Sequence, residues 1–432
     1  MSSAPYARRR ARLAAQMGRG VAIVPTAPER TRNRDTHYPY RADSYFHYLT
    51  GFPEPEAVAV IVGDEQPQSL LFCRDKDMER EIWDGFRYGP EGAKAVFGFD
   101  AAHSIRELDT LLPQLLADRP AVYCHLGGDE AWDARVLGWI NAVRGQVRTG
   151  VSAPTEIRDV HALLDEMRLI KDATEIDLMR RAGAISSGAH RRAMRLAAPG
   201  RYEYEIEAEL LHEFRRRGAQ SPAYTSIVAG GANACVLHYV QNDAQLRDGD
   251  LLLIDAGCEL DSYASDITRT FPVSGTFTAA QQAVYELVLA AQAAAIAAVK
   301  PGNTWNMPHD AAVRVLARGM VDLKLLAGSV DGIIESQAYR KFYMHRTGHW
   351  LGLDVHDAGS YKQNGDWRPL EPGMMLTVEP GCYIRRAADV PEAYADIGVR
   401  IEDDVLVTEN GCEVITSAPR TVDEVVRAMR GS

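Results

Sequence analysis

Three histidines fall within twelve residues in His345-Arg-Thr-Gly-His349-Trp-Leu-Gly-Leu-Asp-Val-His356-Asp357, with glycines between them. Upstream lie Leu-Leu-Leu-Ile-Asp255-Ala-Gly and Asp266-Ile-Thr-Arg-Thr. Downstream lie Thr-Val-Glu379-Pro-Gly and Arg400-Ile-Glu402-Asp403-Asp404. Two Asp, one His and two Glu thus each occupy a strand-like or tight-turn context. Carboxylates that converge without cations repel one another, and some protonate. Asp255, Asp266, His349, Glu379 and Glu402 therefore read as ligands for a pair of divalent metals, which balance the four negative charges.

A chain of 432 residues exceeds one ordinary core, so two domains are expected. Its 46% hydrophobic and 25% charged residues are ordinary for a soluble globular protein. The net charge of −11 argues against nucleic-acid partners, which need a basic face. Arg8, Arg9, Arg10 and Arg12 lie on an expected N-terminal helix and read as a solvated face. No apolar run approaches the roughly 20 residues that span a bilayer. Charges occupy the place of a signal peptide's apolar core, and the six cysteines form no Cys-x-x-Cys pair. Both features fit a cytoplasmic protein with reduced thiols. Cys258 lies close to Asp255, but the neighbouring ligands are hard oxygens, so packing explains it better.

Up to residue 165 the chain alternates compact apolar runs (residues 21–24, 57–62, 69–72 and 121–124) with helical ones such as residues 105–116. That alternation predicts an α/β domain with a mixed sheet over 1–165. Over 166–432 the elements fall in blocks, which predicts an α+β domain. Helices are expected over residues 162–171, 173–196, 204–217 and 278–299. Strands are expected over 251–255, 266–271, 374–379 and 399–407.

Asp255 closes an apolar strand, a rigid support for a ligand. A hairpin of eleven residues would bring it beside Asp266. Pro380 fixes Glu379 in an extended conformation, so its carboxylate keeps one direction. Arg400, Glu402 and Asp404 share one face of a strand by the period of two. His349 supplies the nitrogen ligand, and His238 is a further candidate in Val-Leu-His-Tyr. Four carboxylates and one imidazole suit manganese above all, with cobalt, iron or zinc as alternatives. Two such ions stand roughly 3.5–4 Å apart and hold both nucleophile and oxyanion, so the reaction class is metal-assisted attack on a carbonyl.

The ordered set Asp, Asp, His, Glu, Glu resembles the pita-bread metallopeptidases. The His345–Asp357 stretch is similar to the signature shared by their aminopeptidase P and prolidase branches. Tyr38-Pro-Tyr-Arg, Tyr48-Leu-Thr-Gly-Phe and Pro55-Glu-Ala resemble the creatinase-like N-terminal domain of the bacterial aminopeptidase P branch. The resemblance implies a pita-bread catalytic domain behind a smaller domain concerned with oligomerisation and substrate access. It implies a metalloaminopeptidase that hydrolyses the N-terminal Xaa-Pro bond of peptides with a metal-bridging hydroxide. Asp255, Asp266, His349, Glu379 and Glu402 would bind two manganese ions, with Asp266 and Glu402 bridging and Glu379 doubling as proton shuttle. His238 and His356 would contact the substrate at the scissile bond, and His345, Tyr383 and Arg400 would line the space beyond. Glu81-Ile-Trp83, in an expected charge-rich, Gly-flanked loop, is similar to a segment that enters a neighbour's site in tetrameric relatives, and Asp35 lies in a matching stretch. A homotetramer, a dimer of dimers, follows. The loop Tyr361–Arg368 departs from the pattern, and no residue is carried over from it. Prolidase, which cleaves Xaa-Pro dipeptides, is the alternative, and a metal-free pita-bread binding protein is a more distant one.

Overall fold

The apolar runs of the first third become one six-stranded mixed sheet. In the computed structural model, which describes residues 3–431, the chain divides into two compact units, Met1–Arg168 and Leu169–Ser432. In the first, strand Val21–Pro25 pairs antiparallel with Val58–Val62, which pairs antiparallel with Gln68–Cys73. Parallel pairings add Ala101–Ser104 on one side and Ala121–Tyr123 and Glu156–Arg158 on the other. Val58–Val62 is buried throughout, the burial expected of a central strand covered on both faces. Leu108, Leu112 and Leu116, one helical turn apart, close the core from helix Leu108–Leu116.

Two expectations fail here. The arginines of helix Ala4–Met17 are not all a solvated face: Arg9 and Arg10 are buried. Arg10 donates to the carbonyls of Leu49 and Gly98 and lies over the Phe99 ring, satisfying its charge with backbone and π faces. The segment around Trp83 is a short helix, Met78–Asp84, and not a loop; Asp77 caps it by accepting from the amides of Glu79 and Arg80.

The second unit is α+β. Strands Ile227–Gly230, Leu251–Asp255 and Thr268–Pro272 form one antiparallel sheet, and Met375–Val378, Asp403–Thr408 and Gly411–Val414 form another. Strands Gly381–Ile384 and Ile397–Arg400 make a third pair. Helices Ala173–Leu196, Glu203–Arg216, Ala279–Ala298 and Asn306–Asp322 supply apolar faces to the common core. Thr278 and Gln281 start the third of these with a capping box.

Two sequence readings need correction in this unit. The strand expected over 399–407 breaks at Ile401 and Glu402, so Arg400 and Asp404 lie on different sheets. The path from Asp255 to Asp266 is not a simple hairpin either. It holds a second hairpin, Cys258–Leu260 with Tyr263–Ala264, turned by Asp261 and Ser262 at positive φ. The strand after it begins at Thr268, opposite Asp255. Gly257 permits that path, because a Cβ there would stand 1.6 Å from the Ser265 carbonyl oxygen.

The cysteines are all free, and Cys258 is buried in the core, facing no ligand. Among the described residues no helix is long and apolar enough to cross a membrane.

A buried histidine should make the second unit acid-sensitive. His190 is fully buried on helix Ala173–Leu196; its Nε2–H donates to the Ala256 carbonyl at 3.0 Å, and Nδ1 has no hydrogen-bond partner among the described residues. Burial pushes its pKa down from 6.5 to about 4, more than the Ala256 bond raises it. The folded state thus keeps the ring neutral while the unfolded chain takes a proton below pH 6.5. Stability should fall as pH drops from 6.5 and the loss should be complete below about 4, reaching about 3 kcal/mol. Urea unfolding of the wild type and His190→Gln at both ends of this range tests it. A stability difference between the two that ignores pH would refute the assignment.

Candidate metal centre

Each carboxylate of the predicted set sits at a strand end or in the short link between two strands. Asp255 closes Leu251–Asp255; its Oδ2 accepts from Arg400 Nη2 at 2.7 Å. The Tyr224 hydroxyl stands between two of the predicted ligands, 2.6 Å from Asp255 Oδ1 and 2.5 Å from Asp266 Oδ1. The Asp266 amide donates to the Asp404 carboxylate at 3.2 Å, so Asp404 anchors the turn and not the cleft. Glu402 occupies the break in the expected strand, its Oε2 accepting from the Thr268 hydroxyl at 2.6 Å. Behind it the buried Arg269 donates to the Glu402 carbonyl at 2.6 Å and pairs with Asp403 at 2.6 Å. Glu379 follows strand Met375–Val378, and its amide donates to the Thr347 carbonyl at 2.8 Å.

The histidine stretch is pinned against this frame as irregular chain. Gly348 lies so close to the strand that a Cβ would meet the Thr377 carbonyl oxygen at 2.1 Å. His349 Nδ1–H donates to the Trp350 carbonyl at 2.9 Å, which leaves the Nε2 lone pair free to face the carboxylates. Nε2 lies 3.4 Å from Asp266 Oδ2 and 3.7 Å from Glu379 Oε1. Next to His356, Asp357 makes a fully buried ion pair with Lys171 at 2.8 Å, which fixes the far end of the stretch.

The electrostatics match this crowding. Burial and the neighbouring carboxylates hold Asp266 and Glu402 well above the usual carboxylate range. Burial and Glu402 push Glu379 up to about 8. Burial works to raise Asp255 too, but the Arg400 guanidinium and the Tyr224 hydroxyl bring it below its ordinary value. One guanidinium among four carboxylates leaves most of their charge uncompensated, and the donor set is hard oxygen plus one imidazole. Ligand atoms of Asp266, His349 and Glu402 all lie within 4.8 Å of one another. These residues fit divalent cations.

The cleft in front of them has a volume of about 970 Å³. Asp255, Asp266, His349, Glu379 and Glu402 reach it together with His238, His345, His356 and Arg400. His238 and His356 are exposed to it, and the His356 ring stands edge-on to His349 at 4.3 Å. Tyr383 is buried behind the wall: Arg400 Nη1 donates to its hydroxyl at 2.9 Å, and that hydroxyl reaches His345 Nε2 at 2.8 Å. Trp83 and Asp35 belong to the first unit, both exposed, Trp83 at 84%. Sequence reasoning missed Tyr224, Trp305, Tyr361 and Trp367, which line the cleft. Tyr361 and Trp367 come from the loop whose residues departed from the expected pattern, and Tyr224 has no ligand-type neighbour in sequence to mark it.

Comparison with known proteins decides the family. Residues 177–409 match metallopeptidase family M24, and residues 6–123 match the aminopeptidase P N-terminal domain. The chain belongs to metallopeptidase family M24. It is 48% identical over 429 residues to a Xaa-Pro aminopeptidase of Haemophilus influenzae, covering 98% of this chain and 96% of that one. The structure of Pseudomonas aeruginosa aminopeptidase PepP superposes with a TM-score of 0.98 at 52% identity, covering 100% and 98% of the two chains. Zinc-substituted Escherichia coli aminopeptidase P in complex with product gives a TM-score of 0.97 at 44% identity, covering 100% and 99%. The two family matches also make the architecture plain: an aminopeptidase P N-terminal domain followed by a pita-bread domain.

Proposed function

We propose that the protein is a Xaa-Pro aminopeptidase that removes the first residue of peptides with proline at position two. The observation that carries this reading is the meeting of Asp255, Asp266, His349, Glu379 and Glu402 on one wall of a cleft whose other walls are largely apolar. We assign these five to two divalent ions, manganese by the balance of four carboxylates against one imidazole. Bound there, the ions would acidify the attacking water and polarise the scissile carbonyl. The protein's own groups do the rest. Glu379, in the cleft beside His349, takes a proton from the attacking water and returns it to the proline nitrogen, which must be protonated to leave. His238 and His356 stand exposed beside the ligands and hold the substrate at the scissile bond. The linked Arg400, Tyr383 and His345 shape the wall beyond it.

Proline selectivity has a physical basis. The Xaa-Pro nitrogen carries no hydrogen and the ring fixes φ, so an apolar pocket gains from a rigid ring that loses little entropy on binding. The deciding assay compares a Xaa-Pro-Xaa tripeptide with the Xaa-Pro dipeptide in the presence of manganese. The tripeptide should be cleaved with the higher kcat/KM. Equal or better cleavage of the dipeptide would make the protein a prolidase.

The assembly reading rests on Trp83. With Met78, Ile82 and Phe86 it forms an exposed apolar group on and just beyond a seven-residue helix, too solvated to serve its own core. A second copy of the chain is the occupant that accounts for it, within a homotetramer in which Trp83 and Asp35 border a partner's cleft. Trp83→Ala should lower kcat/KM for peptides while shifting stability by less than about 0.5 kcal/mol. A loss of roughly 3–5 kcal/mol would mark a core ring instead, and a fully active monomer in sedimentation would end the assembly reading.

A further inference from the structure

We propose that the first unit carries a second, separate metal site, for a divalent ion of the zinc type that accepts mixed nitrogen and oxygen ligands, built from His125, Asp159 and His161. The sheet places these residues together. Strands Ala121–Tyr123 and Glu156–Arg158 are parallel neighbours with Tyr123 opposite Arg158, and the Cys124 amide donates to the Arg158 carbonyl at 3.0 Å. His125 and Asp159 therefore leave the sheet side by side, at the carboxyl ends of parallel strands, where this kind of sheet gathers ligand-binding groups. His161 opens helix His161–Leu169 two residues later.

Asp159 ties the group together. Its Oδ1 accepts from the His161 amide at 2.9 Å, and its Oδ2 lies 3.4 Å from His125 Nδ1. One ligand atom from each of the three residues lies within 4.8 Å of the other two. The His161 ring is stacked between Tyr45 at 3.8 Å and His125 at 4.1 Å. Two imidazoles held in contact beside a carboxylate form the donor set of borderline divalent ions, and three protein ligands leave room for water. The surroundings favour a cation, since Asp43 and Asp165 add their field to that of Asp159 at His161. Binding requires the two ring planes, now 14° apart, to splay so that both nitrogens reach one ion at about 2.0–2.1 Å. His125 and Asp159 are exposed, so an ion has a direct path to them.

The test uses the full-length, manganese-loaded protein, dialysed against micromolar zinc, with metal counted per chain by elemental analysis. Wild type should bind one more equivalent than the double variant His125→Ala/His161→Ala. Exchange of zinc for manganese at the Asp255–Glu402 centre is common to both proteins and cancels in the difference. Asp159→Asn, which keeps a capping acceptor for the helix, should also lose that equivalent. Peptide hydrolysis before zinc treatment should be the same in all three. The ring-proton NMR signals of His125 and His161 should shift together at one equivalent of bound zinc. Equal zinc counts in wild type and double variant, or ring signals that stay in place, would overturn the proposal.

Discussion

Chelation should abolish peptide hydrolysis, and manganese should restore it better than other divalent ions. Asp255, Asp266, Glu379 and Glu402 converge with one guanidinium among them, and that guanidinium is already paired with Asp255 at 2.7 Å. No other described group there supplies the Lewis acid that attack on an amide carbonyl needs. Removal of the ions should therefore take the rate to background, and also remove a contribution to folding stability. A ligand at 100 times its Kd stabilises the folded state by about 2.7 kcal/mol, so the melting temperature should fall with the metal count. Full activity in protein shown to be metal-free by elemental analysis would end this account.

The second large effect separates two histidines seven residues apart. His349 has its Nδ1–H fixed on the Trp350 carbonyl and turns Nε2 to the carboxylates, the arrangement of a ligand whose tautomer is set by its outer partner. His356 is exposed to the cleft and stands edge-on to the His349 ring at 4.3 Å. His356→Ala should lose rate by roughly 10²–10⁴, the range for a positioned acid–base or hydrogen-bonding group, while keeping its full metal content. His349→Ala should lose affinity for at least one ion. Metal titration of the two purified variants reads this directly. Metal lost from the His356 variant alone would reverse the two roles.

Several elements were legible from sequence because a local signal specified them. Helix Ala173–Leu196 begins after the Asp172 capping box and runs to the expected end. Strand Leu251–Asp255 is five residues as read, because a continuous apolar run followed by Ala-Gly allows little else. The failures share another cause. The strand expected over 399–407 is broken because the Glu402 amide turns to donate to the Thr268 carbonyl, and its carboxylate accepts from the Thr268 hydroxyl. Period-two spacing cannot report a partner that lies 134 residues away. Arg9 and Arg10 looked solvent-facing because charge is usually exposed; their burial depends on the carbonyls and rings of Tyr48, Leu49 and Phe99.

The same division runs through the site. Sequence alone named the chemistry, since hard-oxygen ligands, an imidazole among glycines and a proline after Glu379 are properties of residue type and local backbone. Tertiary structure decided which groups act on one another: the Tyr224 hydroxyl between Asp255 and Asp266, Arg400 paired with Asp255, and Trp305, Tyr361 and Trp367 in the cleft wall. Hydrogen bonds and charge–charge effects act over a few ångströms whatever the separation along the chain, so they are settled only when strand ends far apart in sequence meet.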